Sequence, residues 1–298
     1  MPEAPPAAAA RALAREVARD LNAGTVEVAG MPEIVARVRS LLATPRVTAR
    51  RVAQAVQADP ALAARLMRIA HSAFYRRGSP ARDLRAAVCL LGLESTRRLV
   101  TAFAVGQVFR SRHPAVQDLY RTLWRRSTRV AAMASILARP VPGVDPEQAL
   151  LGGLVHEIGA IPLLQRAERY PALVAERPLL ERLLAGLGPR LGRAVLVRWG
   201  FDEDLCRLPE AVGNMEFEPD APAGVVDVVV VARLHRDLAP GTGPGEEVLD
   251  RCASWRKLGL SRLGPGASVE LLALAEQEVA ELVRILGGAR TPVRPGAG

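Results

Sequence analysis

Apolar residues recur at a helical spacing along most of this chain, so that they gather on one face of each segment. Ile34, Val38, Leu41 and Leu42 follow the pattern after Met31-Pro32, and Pro45 closes the segment. Val52, Ala53 and Val56 predict a short second helix. Asp59-Pro60 opens a third, because an aspartate caps free N–H groups and a proline is tolerated at the first helical position. Leu62, Leu66 and Ile69 form its buried face, and it ends near His71, ahead of Gly78-Ser79-Pro80. Asp83 starts the next helix through Leu84, Ala87, Val88 and Leu91, with Gly92 as its C-cap.

The middle of the chain continues in the same way. Leu99, Phe103 and Val108 predict a helix over 94–110, and a longer one is expected over 116–138, ended by Pro140 and Pro142. Asp145-Pro146 repeats the cap-and-proline signal and opens a helix that runs to His156. Further helices are predicted over 158–167, 179–187, 188–199, 203–212 and 224–238. The valine run 225–231 has strand propensity, but it continues without a break into Ala232-Arg233-Leu234 and has no strand partner nearby, so it is read as helix. Pro240 to Gly245 predicts a connector, Gly264-Pro265-Gly266 a second break, and residues 269–286 an amphipathic helix that caps the core or meets a partner. The tail from Ala289 has a disordered composition. The fold class expected is all-α.

Composition narrows the class. The 298 residues are 49% hydrophobic but only 4% aromatic, which predicts a sizeable core of Leu, Val and Ala. Cys89, Cys206 and Cys252 are too scattered for a disulfide framework or zinc ribbon, and a reducing cytoplasm fits them. Arg11 and Arg15 interrupt the N-terminus before a signal peptide can form, and the longest apolar runs, 86–93 and 225–232, are far short of the roughly 20 residues of a membrane span. The net charge of +9 is unevenly placed: residues 60–130 carry fourteen arginines against Asp83, Glu94 and Asp118, whereas residues 202–298 are net acidic. Lys257 is the sole lysine, so coding bias is a plain source of the arginines. Aromatic interleaving and a groove-reading motif are missing, which keeps nucleic acid a less favoured partner.

Several runs taken together resemble one family. Pro32-Glu33-Ile34, Val52-Ala53-Gln54-Ala55-Val56, Asp59-Pro60-Ala61-Leu62, Arg65-Leu66, Ala70-His71-Ser72-Ala73-Phe74-Tyr75 and Ala86-Ala87-Val88-Cys89-Leu90-Leu91-Gly92-Leu93 are similar, in order and spacing, to the signature of the HDOD domain, the HD-related output domain of bacterial signalling proteins. His71 stands where that family usually shows Asn. The resemblance implies a multi-helix HDOD/HD-like bundle over 31–238, with an N-terminal helical subdomain at 31–112 packed on a degenerate HD-like subdomain at 113–238. Residues 1–30 then form an extension with a helix, and 239–298 a linker, C-terminal helix and tail.

The resemblance also sets a test for chemistry. HD phosphohydrolases hold divalent metal through a first His, a His-Asp pair, often more His, and a distant Asp; the metal polarises phosphate and lowers the pKa of bound water. Here His156-Glu157-Ile158-Gly159 takes the place of the His-Asp pair. Ser127 is expected at the first His, Pro189-Arg190 and Gly213-Asn214 near the later ones, and Arg233 at the terminal Asp. His156 and Glu157 are thus vestigial, with Ser127, Asn214 and Arg233 as replaced ligand positions, and no catalytic residue, metal or cofactor is expected. His71, His113 and His235 have no partner pattern, and Ser127 lacks a Ser-His-acid setting. Arg97, Arg98, Arg125 and Arg126 form a candidate anion or partner surface, since guanidinium forks suit phosphate.

Three functions from different classes follow. The first is a non-catalytic signal-transduction module acting through contacts with signalling proteins or a second copy of itself, its input arriving from another chain or a ligand. The second is a residual HD-type phosphohydrolase on nucleotides or cyclic dinucleotides. The third is an arginine-rich nucleic-acid-binding regulator, whose binding would weaken steeply with salt.

Overall fold

The computed structural model describes residues 5–27, 30–75, 80–218, 220–236, 246–259 and 267–287, which form helices and their connections with no strand among them. An N-terminal half holds α2 (Glu33–Leu42), α3 (Ala49–Gln57), α4 (Pro60–Ala70), α5 (Leu84–Leu91) and α6 (Leu93–Val105), preceded by α1 (Pro6–Ala23). A second half holds α7 (Pro114–Ala138), α8 (Pro146–Val155), α9 (Ala160–Ala167), α10 (Pro171–Ala175), α11 (Arg177–Arg198), α12 (Glu203–Ala211) and α13 (Val225–His235). Four short elements follow, α14 (Glu246–Asp250), α15 (Ala253–Lys257), α16 (Ala267–Leu274) and α17 (Glu276–Gly287).

The capping signals act where the sequence places them. The Asp59 carboxylate accepts from the N–H groups of Ala61 and Leu62, Asp83 from that of Ala86, and Asp145 from that of Gln148. Each supplies an acceptor to a donor the helix itself cannot satisfy. Gly92, at φ 84°, separates α5 from α6 with a backbone conformation that costs a glycine little. His71 ends α4, and its Nε2 lies 2.7 Å from the Ala81 carbonyl, joining that end to the approach of α5. The valine run is helical and buried nearly all round, as a helix inside a bundle must be.

The second half is organised by α7 and α8, joined by a short connection and running antiparallel. α8 is buried on every side from Ala149 to Val155. At the crossing a Cβ on Gly153 would come within 2.4 Å of the Ala131 Cα, so the two backbones touch and only glycine fits. The halves meet through polar bonds at their rims. Arg39 of α2 donates to the carbonyls of Trp199 at 2.5 Å and Gly200 at 2.6 Å, and Arg98 of α6 pairs with Asp145 at 2.5 Å.

Some elements depart from the sequence expectation. The two helices predicted over 179–187 and 188–199 are one continuous α11 with Pro189 inside it. Gly-Leu-Gly-Pro is a local breaker signal, but packing overrides it: Gly159 sits against the Gly188 carbonyl and the Gly192 nitrogen, and Gly192 just beyond the stretch receives the ring of Pro209. The predicted helix over 269–286 divides at Ala275 into α16 and α17. α17 caps the fold, burying Leu282, Ile285 and Leu286 on α7 and α4, while its Glu281 accepts from the Ala73 N–H at 3.0 Å and its Glu278 pairs with Arg139. α1 packs Ala9, Ala10, Leu13 and Val17 onto α9, α10 and α11, and its Glu16 binds Arg169 at 2.6 Å. The predicted connector at 240–245, the break at 264–266 and the tail lie outside the described residues.

Two buried polar contacts fasten the C-terminal elements to α13. Lys257 pairs with Asp227 at 2.8 Å, their side chains 8% and 3% exposed, and Ser254 donates to the same carboxylate at 2.7 Å. His235 is buried beside Ser268, with Nε2 2.9 Å from its Oγ. Replacing Lys257 by Met is expected to lower unfolding stability by about 3 kcal/mol at neutral pH, because it strands a buried carboxylate. Urea titration measures this, and a loss under about 1 kcal/mol would show the pair to be effectively solvated.

Burial pushes His235 down to about 4 from 6.5. The unfolded chain therefore binds the extra proton between those values, and stability falls as pH drops through that window. The expected contribution is about 2–3 kcal/mol. Urea midpoints measured from pH 7 to pH 4 should show a slope that flattens in His235→Asn; an unchanged slope would assign the effect elsewhere.

Candidate functional site

The α7–α8 crossing decides what stands at the end of α8. Because Ala131 meets Gly153, residues one turn further along each helix, Ser127 on α7 and His156 with Glu157 after α8, lie at the same level. The chain then turns tightly at Gly159 onto α11. A Cβ on Gly159 would reach within 1.9 Å of the Gly188 carbonyl oxygen and 2.4 Å of the Gly192 nitrogen. The glycine of the His-Glu-Ile-Gly run is thus required by backbone contact, whatever chemistry its neighbours perform.

A cavity of about 380 Å³ opens beside this turn. His156, Glu157, Arg126, Arg233 and Glu181 supply its polar wall, and Leu123, Leu184, Pro189, Pro209 and Val212 are among its apolar lining. Pro189 adds one more feature, since a proline gives no N–H to the carbonyl four residues back, that of the wall residue Ala185.

His156 is buried, and its Nδ1 lies 2.7 Å from the Gly153 carbonyl. A carbonyl can only accept, so Nδ1 carries the proton and Nε2 presents a lone pair, which has no hydrogen-bond partner among the described residues. Burial holds the imidazole below its usual pKa, against the pull of Glu157. Glu157 turns one oxygen to Arg236 at 3.1 Å, while its other oxygen, 3.9 Å from His156 Nε2, is buried without a hydrogen-bond partner. Burial alone would raise this carboxylate, but the neighbouring positive charge outweighs it and the group lies below its ordinary range. The lowering comes first from His156 and then from Arg236 and Arg233.

The sequence-predicted positions are only partly brought together. Ser127 is buried with no hydrogen-bond partner for its hydroxyl among the described residues, and Arg126, one residue earlier and turned about 100° round the helix, lines the cavity from α7 together with Leu123. Gly213 and Val212 stand on the wall, whereas Asn214 turns back to accept from the Glu216 N–H at 3.1 Å. Arg233 is on the wall and donates to the Val212 carbonyl at 3.3 Å. Of the four surface arginines only Arg126 lines the cavity. Arg97 is bound by Glu94, Arg98 by Glu94 at 3.2 Å and Asp145, and Arg125 is exposed. Arg236 was not singled out by the sequence; its signal was the one-turn spacing from Arg233.

A divalent metal does not suit this set. His156 Nε2 and the free oxygen of Glu157 are the two buried donors, and no group of three or more His, Cys, Asp or Glu suited to a metal occurs among the described residues. Guanidinium groups of Arg233 and Arg236 stand where further ligands would be needed, and like charge opposes the ion. Asp227, a buried carboxylate of the nearby α13, is bonded to α15 rather than to this cavity. Gly159→Ala is expected to destabilise the chain by about 3 kcal/mol by forcing α9 off α11; a thermal melt within a degree of the parent would refute that contact.

Comparison with known proteins places this architecture. A structure of a provisionally named metal-dependent phosphohydrolase from Shewanella amazonensis SB2B is 27% identical, with a TM-score of 0.78 over 92% of this chain and 99% of that one. An HDOD domain protein of unknown function from Geobacter sulfurreducens is 24% identical, with a TM-score of 0.65 over 91% of this chain and 96% of its own. An uncharacterised protein of Treponema pallidum (strain Nichols) is 21% identical over 239 residues, which are 74% of this chain; the chain spans only 44% of that relative. No helix among the described residues is long and apolar enough to cross a membrane. The model of the HDOD domain matches residues 28–214, most of the helical body described above, and the chain belongs to the HDOD family.

Proposed function

We propose that this chain is a non-catalytic regulatory module that serves signal transduction through contacts with other proteins. The observation that carries the reading is the charge of the cavity. His156 and Glu157 are the His, Cys, Asp or Glu residues with an unpartnered buried donor at the cavity among the described residues, and the charges of Arg233 and Arg236 act on the same pair. Loss of several ligands removes both metal affinity and the activated water that hydrolysis needs.

The competing reading is a residual phosphohydrolase, favoured by the name of the Shewanella structure and by the unprotonated Nε2 of His156. A nucleic-acid role has less support. Arg97, Arg98 and Arg121 of the basic stretch are engaged by Glu94, Asp145 and Asp118, which reduces the charge available to phosphates.

Metal analysis of the purified protein, combined with a phosphodiesterase assay in added manganese, tests the proposal. Substoichiometric metal and no turnover are expected. Stoichiometric metal with turnover that disappears in His156→Ala would overturn it.

A further inference from the structure

We propose that the cleft between α2 and α3 is a docking site for a phosphorylated serine or threonine side chain of a partner protein, held by Arg37 and Arg51. The proposal rests on the regulatory reading above, since it gives the protein contacts of that reading a place and a chemical trigger.

Charge and helix geometry converge on this cleft. From Ile34 to Ala58 the chain carries five arginines and no acidic residue. Arg39 is committed to the fold through the carbonyls of Trp199 and Gly200. Arg37, Arg46, Arg50 and Arg51 are exposed or half-exposed, and none of them has an ion pair among the described residues. By contrast, Arg97 and Arg98 of α6 are already answered by Glu94 and Asp145. Arg37, Ser40, Leu41 and Thr44 recur at helical spacing along α2 and the turn after it, as do Arg51, Gln54 and Ala55 on α3. Val35, Val38, Val52 and Val56 occupy the buried faces of the same helices. The two polar faces therefore meet toward solvent, where they line a cleft of about 390 Å³.

The lining suits a doubly charged anion on a short stem. Two guanidinium forks, the Ser40 hydroxyl and the Gln54 amide supply more donors than one carboxylate can accept. A phosphate monoester brings three terminal oxygens and close to two charges, and it matches each fork with paired N–H bonds. The Thr44 hydroxyl donates to the Ser40 carbonyl at 3.3 Å, so the Ser40 hydroxyl itself stays available to a ligand. Leu41 and Ala55 give a small apolar wall, the size of the carbon stem of a phosphorylated side chain. No aromatic residue occurs between Ile34 and Ala58, so the cleft lacks a platform on which nucleic-acid bases stack. Arg37, Ser40, Thr44, Arg51 and Gln54 are all exposed, which lets a group carried on another protein's surface reach them.

The test titrates the full chain with a fluorescently labelled Gly/Ala peptide that carries one central phosphoserine, read by anisotropy. The serine and glutamate versions of the peptide, inorganic phosphate and a single-stranded oligonucleotide serve as comparisons. The phosphopeptide is expected to bind with a dissociation constant below roughly 1 mM, and the serine and glutamate versions at least about tenfold more weakly. Arg37→Gln and Arg51→Gln should each weaken the phosphopeptide about tenfold while leaving the melting temperature close to the parent, since both positions are exposed. Arg125→Gln, at an exposed arginine of α7 outside the cleft, should leave the affinity unchanged. Absence of binding overturns the inference, as does a glutamate peptide or inorganic phosphate that binds equally well, or an equal loss in Arg125→Gln. An oligonucleotide bound more tightly than the phosphopeptide through Arg37 and Arg51 would overturn it in favour of nucleic acid. Phosphate released from the peptide in added manganese would count instead against the non-catalytic reading, so the two failures are read separately.

Discussion

The contact between the backbones of α7 and α8 governs much of this molecule. With a Cβ at Gly153 reaching within 2.4 Å of the Ala131 Cα, the two helices can approach only because one of them has no side chain there. That approach buries α8 completely and fixes the register by which Ser127, His156 and Glu157 share one level. A second glycine contact, Gly159 on Gly188 and Gly192, locks the turn after α8 against α11. The cavity forms in the angle between these two contacts. Its shape follows from close-packed backbone, and its chemistry is set independently by side chains on the surrounding helices.

Those side chains set up an electrostatic pattern. A buried imidazole presents Nε2 as an acceptor, and the carboxylate beside it is held below its ordinary range by His156 and by the guanidinium groups of Arg236 and Arg233. In a site of low polarity such a carboxylate would take up a proton if its cations were removed. The positive charges therefore do locally what a metal ion would do, holding an acid group ionised, but they offer no vacant coordination position and cannot activate water. On the non-catalytic reading proposed above, the same fold keeps a His-Glu pair in place without the conditions for hydrolysis.

Much of the architecture was readable from local signals. Aspartate caps at 59, 83 and 145 named helix starts because capping chemistry is contained within a few residues. The family resemblance rested on short runs that the fold keeps together, and His156-Glu157 was found from them. What local reading missed was decided across the chain. The Gly-Leu-Gly-Pro stretch looks like a helix end until the Gly188 carbonyl and, one turn on, Gly192 are packed against Gly159. Ser127 and Arg126 are neighbours in sequence, yet one is buried and the other reaches the cavity, because about 100° round the helix separates them. Arg98 looked like a free charge and is tied to Asp145 of the opposite half.

The family match ends at residue 214, whereas α13 begins at Val225. The helix that brings Arg233 to the cavity wall, ends just before Arg236, the partner of Glu157, and packs on α7 and α8 therefore lies beyond the stretch by which the family is recognised. A fragment cut to the matched limits would strip a valine-lined helix from the core and leave apolar surface on α7 open to solvent. The same separation has an evolutionary side. Substitutions on α13 would change the charge of the cavity without touching either glycine contact, because the scaffold and the charge reside on different elements.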